Sequence, residues 1–368
     1  MAEATQDDAL EAFRATVARF CAERTPVSEV RRLLEQARTH DHDVWQAFAD
    51  QLAITGLHVP ESLGGAGFGP VETALALEEL GRTLYVGPWF TSTIMAGCAL
   101  HGATPEAQER WFPGLCDGST VAALVLDDLQ DPARLGSRVR VGADGTLSGT
   151  APLVLGAETA SLLLVVAGSE DGISLHAVPA AAPTHRARES LDPTRPLTEL
   201  TFDATPAECI AQWTPETVQR LWDTLSIFLA CELVGAAEAL LYGTVDYMGV
   251  RMQFGRPIAS FQALKHRCAD LLMEVELAKA LAREGAQTLA TDQSPTQIAH
   301  MAKAMASDVA MSAARAAIQL RGGIGFTWEE DTHFFFKRIK SSEVLFGTPT
   351  EHRDRLVRLL AAQARDAA

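Results

Sequence analysis

Three long stretches in the second half of the chain are rich in alanine and leucine, and each predicts a long α-helix. They cover residues 216–253, 261–291 and 296–320 of the 368-residue sequence. Helices of this length bury their apolar sides by packing against one another, as they do in helical bundles. We therefore expect the C-terminal part of the chain to form a four-helix bundle.

A different pattern precedes these helices. Residues 121–126, 138–141 and 162–166 form short runs that are rich in aliphatic and β-branched side chains. Turn signals such as Ala143-Asp144-Gly145 lie between the runs, as expected for strands joined by tight connections. This segment predicts a small antiparallel β-domain, closed as a barrel.

The N-terminal part is predicted to be helical, because apolar residues such as Leu10 and Phe13 recur at helical spacing. The predicted fold class is mostly α with a small β-domain. We expect a helical N-terminal domain at residues 1–118, a β-barrel middle domain at residues 119–207 and the four-helix bundle at residues 208–368.

Composition excludes some classes of function. The formal net charge is −16 and the sequence pI is about 5.1, whereas nucleic acids and anionic membranes require a basic face. No apolar run is long enough to predict a membrane span, and the acidic first residues do not have the pattern of a signal peptide. The six cysteines are scattered, which favours reduced thiols. We therefore expect a cytoplasmic protein.

Two segments predict a nucleotide site. Arg251 opens the segment Arg-Met-Gln-Phe-Gly-Arg-Pro-Ile, and a guanidinium group matches a phosphate through two parallel hydrogen bonds. Phe254 adds an aromatic ring beside it. A second segment, Gln-Leu-Arg-Gly-Gly-Ile-Gly-Phe, begins at Gln319, and its paired glycines allow close backbone approach. These residues fit a dinucleotide pyrophosphate. They also fit a capping arginine, a core phenylalanine and an ordinary helix-ending turn.

Phe346 lies in a third segment, Ser-Glu-Val-Leu-Phe-Gly-Thr, which ends at Thr348. Together the three segments resemble the C-terminal signature of the acyl-CoA dehydrogenase family. In that family the third segment usually reads Glu-Gly-Thr, and its glutamate removes the α-proton of the acyl thioester. Here the glycine and threonine are present, and Phe346 stands at the position of the glutamate. The predicted order of domains also resembles the family architecture across essentially the whole chain.

The resemblance implies that the cofactor is FAD. In the family, residues of the first two segments reach across a dimer interface to the ADP part of the neighbouring subunit's FAD. The residues of this chain that match them are Arg251, Gln253, Phe254, Ile258, Gln319, Gly322 and Gly323. The resemblance also implies that Thr348 contacts the FAD of its own subunit.

The family's segments that hold the isoalloxazine ring are not recognisable in the middle domain. The family usually has Thr-Glu-Pro followed by Gly-Ser-Asp, and later a segment with a tryptophan and hydroxyl donors. Here residues 126–132 read Leu-Asp-Asp-Leu-Gln-Asp-Pro, and residues 148–155 read Ser-Gly-Thr-Ala-Pro-Leu-Val-Leu. Leu153 and Leu155 cannot offer the hydrogen bonds that flavin N5 and the pyrimidine edge require.

A relocated base is the alternative to a missing one. Some family members carry their base on the long helix before the Arg-x-Gln-Phe-Gly segment. Counting back from Arg251, that position falls at about Leu225, which is not acidic. Glu232 lies two helical turns further along the same face and is a backup candidate. We find no metal-ligand spacing and expect no metal site.

The resemblance therefore implies that the chain is one subunit of an FAD-dependent acyl-CoA dehydrogenase, which catalyses α,β-dehydrogenation of an acyl-CoA thioester. We call it a half-site subunit, because it would contribute the ADP-side contacts to FAD while a homologous partner supplies the catalytic base. The expected partners are a homologous subunit, in an α2β2 assembly similar to the actinobacterial enzymes that act on steroid side chains, and an electron-transfer flavoprotein or similar acceptor. Three alternatives remain. These are a self-sufficient acyl-CoA dehydrogenase with a relocated base, a flavin monooxygenase on the same fold, and a structural subunit without flavin.

Overall fold

The structure, a computed structural model, describes residues 6–170 and 172–366. The N-terminal helices are α1 (Gln6–Arg24), α2 (Val27–Glu35), α3 (His42–Asp50), α4 (Pro70–Arg82), α5 (Gly97–Leu100) and α6 (Pro105–Cys116). Asp41 caps α3 and Thr104 caps α6, because each side chain accepts a hydrogen bond from a free N–H of the first turn. A fully buried π-helix, Trp89–Ala96, precedes α5.

Eight strands form one sheet in the middle of the chain. They are β1 (Ala122–Val125), β2 (Val139–Val141), β3 (Thr146–Leu155), β4 (Leu162–Gly168), β5 (Ile173–Pro179), β6 (Thr184–Arg188), β7 (Leu197–Pro206) and β8 (Glu208–Trp213). Their order is β6-β7-β3-β2-β4-β5-β8, and β1 pairs with β4. The core of this sheet contains Leu163, Val165, Leu200 and Phe202.

The prediction of a purely antiparallel β-domain was wrong. β4 pairs in parallel with β1 and β2, whereas its partner β5 is antiparallel. Every residue of β4 is buried, and continuous apolar runs of this kind are typical of strands covered on both faces. A run of apolar residues alone therefore did not reveal the direction of the neighbouring strands.

The C-terminal part contains α7 (Pro215–Val250), the short strands β9 (Met252–Gln253) and β10 (Arg256–Pro257), and then α8 (Gln262–Leu289), α9 (Thr296–Arg321), α10 (Thr332–Val344) and α11 (Pro349–Asp366). Helix α9 contacts α8, α10 and α11. Most of its buried residues are alanines, and such small side chains let the neighbouring helices approach closely.

Two glycines allow α4 and α7 to cross at very short range. A Cβ atom on Gly81 would lie 2.2 Å from the carbonyl oxygen of Glu232, and one on Gly235 would lie 1.9 Å from that of Glu78. Side chains do not tolerate such distances, so both positions require glycine. Gly81 lies in the last turn of α4, one residue before the helix ends at Arg82, and allows this crossing.

Among the described residues, one helix is long and apolar enough to cross a membrane. Its most apolar window in α7 has a mean hydropathy of 1.7, but 89% of that window is buried inside the chain. Burial of this extent is typical of the core helix of a folded domain.

The described residues divide into two compact units. One contains the residues up to Arg32, Ala74–Tyr85 and the residues from Ser226 onward; the other contains Leu33–Thr73 and Val86–Leu225. The predicted fold class is confirmed, with helical N- and C-terminal parts and a β-sheet domain between them. The domain limits at residues 118 and 207 remain predictions, and β8 continues to Trp213.

Candidate functional site

A groove of about 510 Å³ lies where the end of α7, the β9–β10 hairpin, the start of α8 and the end of α9 meet. Six of the predicted cofactor residues line it, namely Arg251, Gln253, Phe254, Ile258, Gln319 and Gly322. Gly323 directly follows Gly322, and Thr348 lies elsewhere, at the start of α11. Segments about 70 residues apart in sequence thus meet at one groove.

The hairpin holds an aromatic ring out into solvent. Gln253 pairs with Arg256, and the two residues between them, Phe254 and Gly255, have φ values of 53° and 75°. Two successive left-handed residues are typical of a tight hairpin turn. Phenylalanine is strained in this conformation, yet Phe254 is 90% exposed. Strain at an exposed apolar residue points to a role in binding rather than in packing.

Three polar side chains of the groove are available for a ligand. Within the described part of the chain, Arg251, Gln253 and Gln319 have no side-chain hydrogen-bond or ion-pair partner. Arg251 is also exposed. An exposed guanidinium without a carboxylate partner keeps all of its donors for an incoming anion such as a phosphate.

The paired glycines expose backbone at the edge of the groove. Gly322 has φ 66° and ψ −139°, a conformation that favours glycine. Cβ atoms added at Gly322 or Gly323 would meet no atom within 4 Å. The surrounding protein therefore leaves open space beside both residues.

Phe346, which the sequence comparison predicts to stand at the position of the family's base, is completely buried. Its φ is 61° and that of Gly347 is 108°, so the turn keeps a strained backbone without a carboxylate. The nearby carboxylate of Glu343 accepts a hydrogen bond from Lys340 at 2.6 Å. Phenylalanine has no lone pair that could accept a proton.

Thr348 belongs to a capping box. Its N–H and hydroxyl both donate to Glu351, at 2.7 and 2.8 Å, and its hydroxyl oxygen accepts from the N–H of Glu351 at 3.3 Å. This reciprocal arrangement stabilises the first turn of α11. The hydroxyl of Thr348 thus has a structural partner, and its predicted contact with a flavin remains a prediction.

Three basic side chains are buried next to the Phe346 turn. The ammonium group of Lys303 donates to Ser307 and to the carbonyl oxygens of Glu343 and Gly347, at 3.1 to 3.2 Å. Burial lowers the pKa of Lys303 to about 7. The rings of His300 and His352 lie beside it, with their Nδ1 atoms 3.0 Å apart. Lys303 therefore fixes the carbonyl groups on both sides of the turn.

Glu232 does not have the environment of a free base. Its carboxylate accepts a hydrogen bond from Arg338 at 2.9 Å, and both side chains are nearly buried. Arg338 also donates to the carbonyl oxygen of Tyr85. Removing one partner from such a pair leaves an uncompensated buried charge, which is strongly destabilising. Leu225, the other position considered for a base, is fully buried and apolar.

Two neighbouring acidic residues of the middle domain, Asp127 and Asp128, stabilise their own loop. Asp127 is 1% exposed, and its carboxylate accepts three backbone N–H groups, those of Gly136, Arg138 and Val139, at 2.6 to 3.0 Å. The carboxylate of Asp128 accepts from two further backbone N–H groups at 2.9 and 3.0 Å. These groups fold the loop on itself and are already hydrogen-bonded.

Strand β3 offers little to a flavin ring. Leu153 is 41% exposed and apolar, while Leu155 is buried. The hydroxyl oxygen of Ser148 accepts from the N–H of Ala204, and that of Thr150 lies 3.5 Å from the hydroxyl of Thr201. The hydroxyl groups of the strand thus have neighbours within the sheet.

Sequence reasoning missed six residues of the groove, among them Tyr247, Phe261 and Arg321. Tyr247 lies four residues before Arg251, so helical spacing on α7 could have identified it. Arg321 lies between two predicted residues, Gln319 and Gly322. Its role depends on contacts with distant residues, which no local pattern contains.

Comparison with known proteins gives matches along the whole chain. The family model described as "Acyl-CoA dehydrogenase, N-terminal domain" matches residues 7–119, and the one described as "Acyl-CoA dehydrogenase, C-terminal domain" matches residues 225–361. A curated relative from Mycobacterium tuberculosis, the acyl-CoA dehydrogenase IpdE2, is 35% identical over 353 residues. The match covers 96% of this chain and 97% of the relative.

Two solved structures share the fold. The structure of a variant of the Tcur3481-Tcur3483 steroid ACAD has a TM-score of 0.87 and 26% identity, and the match covers 98% of this chain and 100% of that one. The ChsE4-ChsE5 complex from Mycobacterium tuberculosis has a TM-score of 0.86 and 24% identity, covering 98% of this chain and 99% of that one.

Proposed function

The chain belongs to the acyl-CoA dehydrogenase family of FAD-dependent oxidoreductases, and we propose that it is the half-site subunit of a heteromeric member. In this proposal it contributes the groove for the ADP part of a shared FAD. A homologous subunit contributes the catalytic base and holds the flavin ring. Bound FAD supplies the oxidising power for the α,β-dehydrogenation of an acyl-CoA thioester.

The observation that carries the proposal is the lack of a usable base at the positions considered for one. Phe346 is buried and cannot accept a proton, and Glu232 is paired with Arg338. α-Proton abstraction requires a carboxylate within hydrogen-bond reach of the acyl group. The pairing of Glu232 also argues against a self-sufficient enzyme with a relocated base.

The groove fits the ADP half of FAD in its chemistry. Among the residues that the structure describes, the guanidinium of Arg251 has no partner and can bind a pyrophosphate, and the amides of Gln253 and Gln319 have no side-chain hydrogen bond. Phe254 and Phe261 offer aromatic surface for an adenine ring. These residues would hold the charged end of the cofactor and orient it, while the hairpin would exclude water from it.

The middle domain fits the isoalloxazine half poorly. The carboxylate of Asp127 is fully hydrogen-bonded within its loop, and Leu153 and Leu155 lack donors. A flavin ring held by this chain alone would leave its N5 and pyrimidine edge without partners, which is costly in a buried site. This difference between the two halves supports sharing of one FAD by unlike subunits.

The names of the related structures support a homologous partner. One is a steroid ACAD named for Tcur3481 and Tcur3483, and the other is a complex of ChsE4 with ChsE5. By analogy, the partner of this chain is a homologous subunit in an α2β2 assembly, and the substrate is an acyl-CoA, with a steroid side chain as one candidate acyl group. The proposed electron acceptor is an electron-transfer flavoprotein or similar protein, and the proposed location is the cytoplasm.

Expression of the chain with and without a homologous partner tests the proposal. Alone, the purified chain is expected to carry little FAD and to oxidise no member of a panel of acyl-CoA thioesters with an artificial electron acceptor. Co-expression should restore both the flavin spectrum and turnover. Robust turnover by the isolated chain would overturn the half-site assignment and direct attention back to Glu232.

A further inference from the structure

Arg321 is the last residue of α9 and directly precedes Gly322 at the edge of the groove. Its side chain is only 9% exposed. The Nε atom donates to the carboxylate of Glu330 at 3.0 Å, and Nη1 donates to the hydroxyl of Thr244 at 2.6 Å and to the carbonyl oxygen of Ala317 at 3.5 Å. The guanidinium thus joins the end of α9 to α7 and to the segment before α10.

Helix α7 also holds the backbone of Arg321. The hydroxyl of Tyr247 donates to the carbonyl oxygen of Arg321 at 3.4 Å, and the guanidinium carbon lies 5.5 Å from the centre of the tyrosine ring. Gly243, one turn earlier on α7, lies beside the guanidinium, and a Cβ atom there would be in ordinary van der Waals contact with Nη2 at 3.6 Å. Both ends of this one residue are therefore fixed.

The surroundings of Arg321 differ from those of Arg251. Arg251 is exposed and has no partner among the described residues, whereas Arg321 has its charge paired with Glu330. The Nε and Nη1 donors of Arg321 are already engaged. This guanidinium therefore cannot form two parallel hydrogen bonds to a phosphate without breaking those bonds. The geometry points to a function for Arg321 other than direct phosphate binding.

We propose that Arg321 is a positioning residue that holds the Gly322–Gly323 backbone at the edge of the groove and thereby sets the affinity for FAD. This inference rests on the proposed function of the groove. Glycines have more backbone freedom than any other residue, and nothing lies within 4 Å of either Cβ position to restrain them. Without Arg321, ordering this backbone on cofactor binding would cost conformational entropy.

The experiment uses the complex with a homologous flavin-holding subunit and measures the dissociation constant of FAD at several salt concentrations. We expect Arg321→Met to weaken FAD binding about five- to tenfold while leaving the salt dependence unchanged, because no phosphate contact is lost. Arg251→Met should weaken binding and flatten the salt dependence, since screening acts on the contact that it removes. Arg315→Met is the matched control, because Arg315 is exposed on the same helix and should have no effect.

Two further variants separate positioning from charge. Arg321→Lys keeps the charge but loses the planar fork, so it should bind FAD as weakly as Arg321→Met. Thr244→Val changes no charge and removes the hydroxyl that accepts a hydrogen bond from Nη1 of Arg321. It should therefore weaken FAD binding about two- to fivefold. All measurements are made well below each variant's melting temperature, so that the complex stays folded. If Arg321 only stabilised the fold, the dissociation constant of FAD would then be unchanged in its variants.

Several results would overturn the inference. Unchanged FAD affinity in Arg321→Met, a flattened salt dependence in that variant, or rescue by lysine would each assign Arg321 another role. If Arg321→Met fails to assemble, Arg321→Lys and Thr244→Val decide by the same criteria. If Arg251→Met does not affect FAD binding, the proposed function of the groove itself is contradicted. This result differs from those that would overturn only the inference on Arg321.

Discussion

Arg251 and Phe254 are the residues of this chain whose properties its own packing explains least. One is an exposed cation without a partner among the described residues, and the other is a strained, 90% exposed aromatic ring at the tip of a hairpin. Neither arrangement contributes much to the stability of the chain by itself. Both become favourable if a phosphate and an apolar surface from elsewhere cover them.

Replacement of Arg251 by alanine should remove FAD from the assembled complex without unfolding the chain. A charge-assisted hydrogen bond contributes roughly 1.5–3 kcal/mol, so the affinity for FAD should fall about tenfold or more. Flavin content and melting temperature, compared with the wild-type complex, provide the measurement. A lowered melting temperature with unchanged FAD would mean that Arg251 is only a structural cap.

Replacement of Phe346 by glutamate should not create a working site in this subunit. The new carboxylate would be desolvated in a fully buried position, where it tends to stay protonated. Loss of the buried ring should also destabilise the chain by about 3 kcal/mol. Hydride transfer further requires a flavin held in the correct orientation, which Leu153 and Asp127 do not provide.

The decisive assay for Phe346→Glu pairs it with a partner subunit whose own base has been removed. Phe346→Gln, of similar size and without the charge, is the matched control. We expect neither complex to turn over. Substantial activity of the complex with Phe346→Glu, but not of the complex with Phe346→Gln, would show that this subunit already holds a competent flavin.

At the residue scale, sequence motifs predicted which residues lie together where a motif carries several groups at fixed spacing, whereas their contact with FAD stays a prediction. Six predicted residues line one groove because two segments carry them at fixed spacing. The partners of Glu232, Asp127 and Lys303 could not be predicted in this way. Glu232, for example, meets Arg338 over a separation of 106 residues, and such a contact depends on the packing of whole helices.

At the scale of elements, α9 and α11 meet at a buried pair of histidines. Burial lowers the pKa of His300 to about 4, and it lowers that of His352 further, helped by the nearby charge of Lys303. The unfolded chain therefore binds more protons than the folded chain between pH 6.5 and about 4. By linkage, stability is full above the unfolded pKa of about 6.5 and falls as the pH decreases through that range.

His352→Gln should make the stability less sensitive to acid. Each unit of pKa shift corresponds to about 1.4 kcal/mol, so protonation of His352 in the unfolded chain should cost the wild type up to about 2.5 kcal/mol between about pH 7 and about pH 4.5, a loss that the variant lacks. Urea unfolding at about pH 7 and about pH 4.5 measures the difference, and His266→Gln, at an exposed position on α8, serves as control. An equal loss in wild type and His352→Gln would contradict the assignment.

The long helices were the elements best predicted from sequence. The predicted stretch at residues 261–291 corresponds to α8, Gln262–Leu289, because alanine and leucine repeat over many turns there. Strand pairing was predicted less well, since the parallel partners of β4 depend on connections that no local pattern contains. The close approach of Gly81 to the carbonyl oxygen of Glu232 likewise depends on a distant helix and has no local signature.

At the scale of the whole molecule, we propose that this chain combines the scaffold of its family with an incomplete set of catalytic groups. Its fold and sequence match the acyl-CoA dehydrogenase family over nearly the full length. Among the described residues, the side chains of Arg251, Gln253 and Gln319 in the groove have no partner, whereas Phe346 is apolar and Asp127 is hydrogen-bonded within its loop. In the proposed function, a partner subunit supplies the base and the flavin-ring contacts.

The ratio of FAD to polypeptide in the assembled complex is the sharpest test of the half-site assignment. The complex is saturated with FAD, freed of excess cofactor, and denatured, and the released flavin is measured against the amount of each chain. We expect one FAD for each pair of unlike chains, and we expect the isolated chain to retain no FAD. One FAD for every chain, or a flavin retained by the isolated chain, would contradict the half-site assignment.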